Sequence, residues 1–439
     1  MSLDMTESVS DVFVIGGGPA GSTAAALLAM HGRRVTLADK DVHPRFHIGE
    51  SLLPQSVPLF RRLGVLEEVE RIGVPKLGAD FVSQYHGRTH TFWFAKAFDE
   101  SLPSSFHVAR AEFDKVLITR AADCGVDVVQ GCEVTAATRD DSTGVWTLEG
   151  RHAGLPRRWH ARYVLDASGR DTFFAGRQGW KVANPDHTSA AMFTHYAGVP
   201  RSTGPDAGNI QLYWFAHGWF WAIPLNRDIT SIGAVCWPQY LKSRTGPIER
   251  FFDDTVGMAP DLARRLEGAT RAADITATGN YSYKSSRIGG PGYLLIGDAY
   301  GFVDPLFSTG VLLAMESAAS AADRVHRLLD TGALEGELMR EHAGYVDQAM
   351  QQFEWLIHRM PNPIMRDLIM MPDERIRARR AVMCKRAVIS LLSGDVFGNS
   401  LALMREHLRN FKLVYYWHCL TQPLRWLRFQ RFRRAYLSG

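Results

Sequence analysis

Apolar and polar positions in the first 179 residues follow strand and helix patterns in turn. Val12–Ile15 is a short run of β-branched and aromatic residues, which predicts a buried parallel strand. Small residues fill Ser22–Met30, which predicts a closely packed helix, and Arg34–Ala38 predicts the next strand. Leu59–Ile72 carries apolar residues close to helical spacing. This order of elements predicts an α/β fold of the Rossmann type.

The pattern changes between residues 180 and 278. Alternating runs such as Ile210–Phe215 and Ile229–Cys236 are rich in aromatic residues, and helical patterns are few. They predict an inserted, mostly antiparallel sheet that forms a substrate domain. Phe92–Phe98 and Phe106–Val108 also read as strands, and we assign the strands near residues 80–108 to the same domain.

The chain then returns to the Rossmann-type domain. Tyr293–Ile296 predicts an apolar strand and Leu312–Leu329 a long helix, and beyond Arg340 the chain is helical, basic and aromatic. We therefore expect residues 1–179 to form the first part of the Rossmann-type domain and residues 180–278 the substrate domain. Residues 279–339 would be the return segment, and residues 340–439 a basic helical C-terminal region.

Composition excludes several functional classes. The chain has 439 residues, of which 46% are hydrophobic and 22% charged, typical of a soluble globular protein. No apolar run is long enough to cross a bilayer, and Met1–Ser10 lacks the hydrophobic core of a signal peptide, so we expect a cytoplasmic protein without a transmembrane segment. A net charge of +4 is too small to indicate nucleic-acid binding. Five scattered cysteines without a C-x-x-C pair indicate reduced thiols and no metal site.

A glycine motif follows the first strand. Gly16, Gly18 and Gly21 complete G-x-G-x-x-G between the strand and the helix. The first glycine allows the tight turn, the second lets a pyrophosphate approach the backbone, and the third lets helix and strand pack closely. Asp39 ends the second strand, where an acid can bond ribose hydroxyls. The motif predicts dinucleotide binding; the alternative is a glycine-rich turn without a ligand.

Further candidate residues stand at strand ends and helix starts. Lys76 lies in a turn after Pro75, at the start of a strand, where most lysines are solvent-exposed. Arg110 begins a helix and has the donors to reach a phosphate. Polar turns follow buried strands at Asp166–Arg170 and at Asp298, and Ser308-Thr309-Gly310 offers free N–H groups at a helix start.

Together these motifs resemble a known set. The glycine motif, Arg110 with Asp114, Asp166–Arg170 and Gly297-Asp298 are similar to the FAD-binding residues of the aromatic hydroxylase flavoproteins, and the resemblance covers most of Asp11–Leu329. It implies that the dinucleotide is FAD and that the Rossmann-type domain is an FAD-binding domain.

Three features narrow the resemblance to the flavin-dependent halogenases. Trp219–Pro224 matches their W-x-W-x-I-P motif in full, and Asp304–Val311 looks like their loop beside the isoalloxazine ring. Lys76, two residues before Gly78, falls where that family has its essential lysine. His47–Ser51 is similar to the loop that precedes it.

The resemblance implies a chemistry and a role for each candidate. Reduced FAD and O₂ convert chloride or bromide to hypohalous acid, and Lys76, as an ammonium donor or an N-halo-amine, passes the halogen to an aromatic ring. Thr309 and Gly310 would bind the halide, and Trp219, Trp221 and Pro224 would keep the substrate away from the flavin. The cofactor would contact Gly16, Gly18, Gly21, Asp39, Arg45, Glu50, Ser51, Arg110, Asp298, Pro305 and Gly310.

One residue departs from the tryptophan halogenases of the family. They have a glutamate at the loop position that Phe307 occupies here. An indole benzo ring needs that carboxylate, whereas a phenol or pyrrole donates electrons into its own ring. The chain therefore resembles the phenol and pyrrole halogenases, whose substrates are free or bound to an acyl carrier protein.

The sequence also bears on the source of reduced flavin and on alternative functions. No second G-x-G-x-x-G follows a strand, so we expect a separate flavin reductase to supply FADH2. An FAD-dependent aromatic hydroxylase is the first alternative, although the two tryptophans argue against direct contact of substrate and flavin. A prenyl-chain reductase and a catalytically silent flavin-binding docking module remain as further alternatives.

The C-terminal region carries its charge unevenly. From Arg340 onward there are 17 Lys+Arg and 8 Asp+Glu, a net charge of +9. Arg425, Arg428 and Arg431 recur every three residues and are interleaved with aromatic and leucine residues. Three interpretations stay open: docking of an acidic carrier protein, an amphipathic helix that covers the core, and weak adsorption to an anionic membrane.

Overall fold

The computed structural model describes residues 9–185, 189–226, 228–279 and 282–437. Most of the N-terminal segment that we expect not to be a signal peptide, residues 1–8, lies outside them. The helices are α1 (Pro19–Met30), α2 (Val57–Leu63), α3 (Leu66–Ile72), α4 (Arg110–Asp123), α5 (Phe173–Arg177), α6 (Pro238–Lys242), α7 (Ile248–Gly257), α8 (Pro260–Arg265), α9 (Gly310–Thr331), α10 (Glu335–Ile357), α11 (Pro363–Ile369), α12 (Arg379–Leu392), α13 (Leu401–Thr421) and α14 (Pro423–Leu437).

The strands are β1 (Ser10–Ile15), β2 (Val35–Asp39), β3 (Val74–Lys76), β4 (Gly78–Ser83), β5 (Arg88–Trp93), β6 (Ser105–His107), β7 (Asp127–Gln130), β8 (Cys132–Arg139), β9 (Trp146–His152), β10 (Leu155–Asp166), β11 (Lys181–Ala183), β12 (Ala190–Ala197), β13 (Ile210–Phe215), β14 (Gly218–Pro224), β15 (Ile229–Cys236), β16 (Thr270–Arg271), β17 (Thr276–Gly279), β18 (Tyr283–Ser285), β19 (Gly289–Gly290), β20 (Tyr293–Leu295) and β21 (Gly301–Phe302).

The nucleotide-binding sheet has the order β19-β20-β10-β1-β2-β7, with β9 and β8 added beside β10. Strands β20, β10, β1, β2 and β7 run parallel, as expected for strands linked by crossover helices. Helices α1, α4 and α9 cover one face, and α1 packs closely on α9 because small residues line both helices. The carboxyl ends of β1, β2, β10 and β20 therefore meet at one edge, where open α/β sheets bind ligands.

The substrate sheet has the order β16-β12-β15-β14-β13-β4-β5, with β17 also on β12. Most of its ladders are antiparallel, but β13 pairs in parallel with β4, and in that ladder Ile210 lies opposite Ala79. Strands from before residue 100 thus join strands from after residue 190 in one sheet, which confirms the predicted α/β fold with an antiparallel insertion.

Several predicted elements differ in detail. The helix predicted over Leu59–Ile72 divides into α2 and α3, because Gly64 adopts left-handed backbone (φ 72°) and ends the first. The strand predicted over Phe92–Phe98 ends at Trp93 and continues as a 3₁₀ turn. Helices α6, α7 and α8 occur where few helices were expected, and β8 was not predicted.

The C-terminal helices pack on the apolar core of the molecule. Helices α10 to α13 contribute Phe353, Met365, Leu391 and Met404 to the same apolar core that holds Trp221 and Leu312. Within the described ranges, none of the helices is long and apolar enough to cross a membrane.

Candidate active site

The glycine motif forms the turn between β1 and α1. Gly16 has a φ of 103°, and a Cβ there would lie 2.4 Å from the Ala167 carbonyl oxygen; a Cβ at Gly21 would lie 1.8 Å from the Gly16 oxygen. These two glycines are therefore required by the fold itself. A Cβ at Gly18 would meet only Arg45 Nη2, at 3.8 Å. The space in front of Gly18 belongs to a cavity, so this position is open to a ligand.

That cavity has a volume of about 970 Å³ and runs from the glycine turn to the substrate sheet. Most of the predicted site residues line it: Gly16, Gly18, Asp39, Arg45, Glu50, Ser51, Arg110, Trp219, Trp221, Asp298, Pro305 and Gly310. The tertiary structure thus brings sequence motifs that are far apart in the chain to one cavity. Four predicted residues are not part of its lining: Gly21, Lys76, Pro224 and Thr309.

Asp39 and Arg45 stand at the nucleotide end of the cavity. Asp39 Oδ2 accepts a hydrogen bond from the Gly17 N–H at 2.5 Å, which ties the end of β2 to the glycine turn. Arg45 lies 3.2 Å from Asp41 and 3.5 Å from an Asp114 oxygen. Its buried Nε and Nη1 atoms nevertheless have no hydrogen-bond partner among the described residues. Those two atoms face the carboxylates of Asp41 and Asp114, whereas Nη2 lies nearest Gly18 and is the donor placed to meet a phosphate there.

Arg110 has a different environment from the one its sequence position indicated. Its guanidinium forms a two-point pair with Asp114, at 2.8 and 3.0 Å, and donates to the Ile48 carbonyl oxygen at 2.9 Å. Both charges are buried, and the hydrogen bond from Arg110 to Ile48 holds α4 against the loop around Gly49. Arg110 lines the cavity, but its charge is already balanced by Asp114.

Two carboxylates stand at the carboxyl ends of neighbouring strands: Asp166 is the last residue of β10, and Asp298 follows β20 in a 3₁₀ turn. Asp166 is fully buried and accepts hydrogen bonds from the Ser168 N–H (3.1 Å) and the Phe174 N–H (2.9 Å), so it shapes the turn rather than facing a ligand. Asp298 is half-buried on the cavity wall, and burial raises the pKa of its carboxyl to about 6. Open space at Gly18, Arg45 Nη2 beside it and Asp298 on the wall fit the pyrophosphate and hydroxyl groups of FAD.

The loop before α9 has the features of an anion site. Ser308 adopts left-handed backbone (φ 60°) and places Gly310 at the start of the helix, where first-turn N–H groups lack helical acceptors. Thr309 is fully buried, and its Oγ1 has no hydrogen-bond partner among the described residues. Asp304 stabilises the loop by accepting from the Leu306 N–H at 3.1 Å and from the Ser189 hydroxyl at 2.7 Å.

Trp219 and Trp221 face the cavity from the same side of β14. Their ring centroids are 6.0 Å apart, but the planes are tilted by 52°, so the wall is not flat as expected. Trp221 is fixed by a hydrogen bond from Nε1 to Ser231 Oγ (3.1 Å) and by Gly233, where a Cβ would lie 2.1 Å from its ring. Pro224 ends β14 away from the cavity.

Lys76 is buried, not exposed as a lysine in such a turn usually is. It ends β3 with 1% of its surface exposed, and its Nζ donates to Ser51 Oγ at 2.9 Å and to the Leu52 carbonyl oxygen at 3.0 Å. Burial lowers the pKa of its amine to about 7. Ser51 lines the cavity, so Lys76 lies one hydrogen bond behind the cavity wall.

Sequence reasoning missed two groups beside these residues. Glu50 Oε1 lies 2.8 Å from His195 Nε2; burial lowers the pKa of His195, but the Glu50 bond and charge raise it above its usual value. His107 and Ser105 lie on the same face of the β3–β6 ladder as Lys76, and both are fully buried. Alternation along Ser105–His107 predicts that these two share a face, but no local pattern places them beside Lys76.

Comparison with known proteins agrees with this geometry. The family model of the FAD binding domain matches residues 9–339. The chain is 28% identical to a 1H-pyrrole-2-carbonyl peptidyl-carrier-protein chlorinase of Pseudomonas fluorescens, over 92% of this chain and 93% of the relative. It is 32% identical to the corresponding brominase of Pseudoalteromonas luteoviolacea, over 73% and 78% of the two chains.

A solved structure shows the same relationship. The myxobacterial chondrochloren halogenase CndH, a variant FAD-dependent halogenase, superposes with a TM-score of 0.77 at 29% identity, covering 91% of this chain and 97% of that chain. The chain belongs to the family of flavin-dependent halogenases.

Proposed function

We propose that this enzyme uses FADH2 and O₂ to form hypohalous acid and transfers the halogen through Lys76 to a phenol or pyrrole ring. The observation that carries the proposal is the amine of Lys76, which is buried, bonded to Ser51 and Leu52, and has a pKa lowered to about 7. An exposed lysine would stay protonated at neutral pH, whereas this one is available in both forms.

Bound reduced FAD would supply O₂ activation and the oxidation of the halide. Around it, Gly18 and Arg45 would hold the pyrophosphate, Asp39 the ribose and Asp298 the ribityl chain. Chloride or bromide would bind at Thr309 and Gly310, where a helix N-terminus and a buried hydroxyl without a partner favour an anion. Thr309 lies outside the cavity lining, so the halide would enter past Gly310.

The hydrogen bonds of Lys76 determine how its nitrogen can react. A neutral amine has two N–H groups, and Ser51 Oγ and the Leu52 oxygen accept two hydrogen bonds from Nζ. The lone pair is then left to attack the halogen of hypohalous acid. The N–halogen bond forms as the O–halogen bond breaks, and one N–H proton joins the departing hydroxide as water. The halogen next bonds to a ring carbon, and the displaced ring proton returns the lysine to the amine. In the protonated form, the ammonium instead donates to hypohalous acid and polarises it.

The tilted tryptophan pair separates substrate from cofactor. Trp219 and Trp221 line the cavity from β14, and there they would stand between the flavin and a ring bound near Lys76. Hydroxylation requires contact between the ring and the flavin, and the halogenase relatives also argue against a hydroxylase. Phe307 is buried where tryptophan halogenases have a glutamate, which favours a ring that is electron-rich enough to react without that carboxylate.

The substrate would be free or attached to an acyl carrier protein. Two relatives act, by their names, on a pyrrole carried by a peptidyl carrier protein, which supports the carrier-bound form here. FADH2 would come from a separate flavin reductase, because the sequence has a single G-x-G-x-x-G motif after a strand.

Lys76→Ala tests the proposal in an assay that contains a flavin reductase, NADH, FAD, bromide and a phenol or pyrrole. We expect halogenated product, measured by mass spectrometry, to fall at least a thousandfold, while FAD binding and peroxide release stay unchanged. Lys96→Ala is the matched control, because Lys96 is exposed and lies outside the cavity lining. Halogenation by the Lys76→Ala variant at the wild-type rate would contradict the assignment. A hydroxylated product from the wild type would favour the hydroxylase alternative.

A further inference from the structure

Helices α13 and α14 expose a set of large apolar side chains. We call this set the C-terminal apolar face: Leu413, Trp417, Leu420, Leu424 and Leu427. The first four have 67, 65, 74 and 72% of their surface exposed. On α13 the members recur at four- and three-residue intervals, so they share one side of the helix. Scattered exposed leucines are common, but a stripe along one helix, followed by two exposed leucines at the start of the next, indicates an interaction surface.

The opposite side of the same helices already packs on the core. Met404, Leu408 and Phe411 are buried, and Tyr415 accepts a hydrogen bond from Asn362 Nδ2 at 2.7 Å. At the start of α14, Arg425 pairs with Asp367 of α11 at 2.8 Å. The idea that these helices only cover the core therefore accounts for one side and leaves the apolar face without a role.

The charge beside this face is almost entirely positive. From Leu401 to Leu437 there are eight Lys+Arg residues and one acid, Glu406, a net charge of +7. Arg428 and Arg431 are exposed on the same helix as Leu424. A second copy of the chain would bring an equal positive charge against this surface, so self-association through it is disfavoured.

The face contributes no residue to the lining of the cavity. All the residues that line the cavity lie between Ile15 and Ala314, so none comes from α10 to α14. A surface that presents a tethered substrate would adjoin the cavity mouth, whereas an anchoring surface need not. We propose that the C-terminal apolar face docks the enzyme on an anionic lipid bilayer.

The residue types suit that surface. Leucines at the acyl boundary remove apolar area from water, and Trp417 can lie at the level of the headgroups, where tryptophan is favoured. Arginines beside them pair with lipid phosphates and are attracted by the negative surface potential. Binding of this kind is peripheral and reversible, and it weakens as salt increases.

Vesicle co-sedimentation of the full-length protein tests the proposal. Wild type should pellet with vesicles of phosphatidylcholine and phosphatidylglycerol, and not with phosphatidylcholine alone. Replacing both Leu420 and Leu424 by Ser should lower the partition coefficient at least tenfold, on the order expected for two exposed leucines. Leu155→Ser is the matched control, because Leu155 is 68% exposed at the β9–β10 turn, and it should bind like wild type.

A second variant tests the charge. Arg428→Glu with Arg431→Glu should weaken binding to the anionic vesicles and flatten its salt dependence, with FAD content unchanged as the control for folding. Absence of wild-type binding, equal binding to both vesicle types, or full binding by the leucine variant would overturn the proposal. So would capture of an acidic carrier protein by this face without any binding to vesicles.

Discussion

Replacing Lys76 by Met removes a buried titratable group while keeping a side chain of similar length. In the folded protein the pKa of this amine is about 7, against the ordinary value of 10.5 that it has in the unfolded chain. Between those values the unfolded chain binds the proton and the folded protein does not. Wild-type stability should therefore rise with pH across that window, by about 1.4 kcal/mol for each pH unit. Below about pH 7 the full cost of burying the group is present.

The Met variant does not titrate at this site, so the difference between the two proteins depends on pH. Its free energy of unfolding minus that of wild type should fall by about 2 kcal/mol between pH 7 and pH 9. Losing the hydrogen bonds to Ser51 and Leu52 costs about 1–3 kcal/mol, but that cost is the same at each pH.

Urea denaturation of both proteins at one FAD concentration measures this difference, because bound FAD adds the same stabilisation to both proteins. Lys96→Met is the control for replacing an exposed lysine by methionine. A pH-independent difference for Lys76→Met would refute the argument that burial has lowered the pKa of this amine.

Three further predictions concern the cofactor and the tryptophan wall. Gly18→Val should fold normally, because a Cβ there meets little protein, yet it should lower FAD affinity at least tenfold in a fluorescence titration. Unchanged affinity would show that the pyrophosphate does not lie against Gly18. Asp298→Ala should weaken FAD retention about tenfold by removing a hydroxyl partner, and equal flavin content after gel filtration would argue against that contact. Gly233→Ala should displace Trp221, lower the free energy of unfolding by about 1–3 kcal/mol and change the near-UV circular dichroism; an unaltered spectrum would show that the ring is not confined.

The site could be read from the sequence wherever a few consecutive residues determine the backbone. Gly16 and Gly21 are needed because the turn between β1 and α1 brings backbone within 2.4 Å and 1.8 Å of where their Cβ atoms would be. Trp219 and Trp221 share a face because strands alternate with a period of two. The α/β fold with its antiparallel insertion follows from the same local periodicities.

The environment of Lys76 depended on packing between distant segments. Its neighbour in the chain, Pro75, indicates a turn, but only the pairing of β3 with β6 and the approach of Ser51 bury the amine. Glu50 meets His195 across 145 residues in the same way. Desolvation depends on everything around a group, so no local pattern predicts a pKa near 7.

The C-terminal helices show the same division between sequence and tertiary structure. The interleaved arginines, leucines and aromatic residues predict an amphipathic, basic region from sequence alone. Which side faces water is decided by the core, which takes Phe411 and Tyr415 and leaves Trp417 and Leu420 outside. Helical spacing determines which residues share a face, because it is a property of the backbone. Whether that face is buried is decided by the other elements that pack against it, because burial is a property of the whole fold.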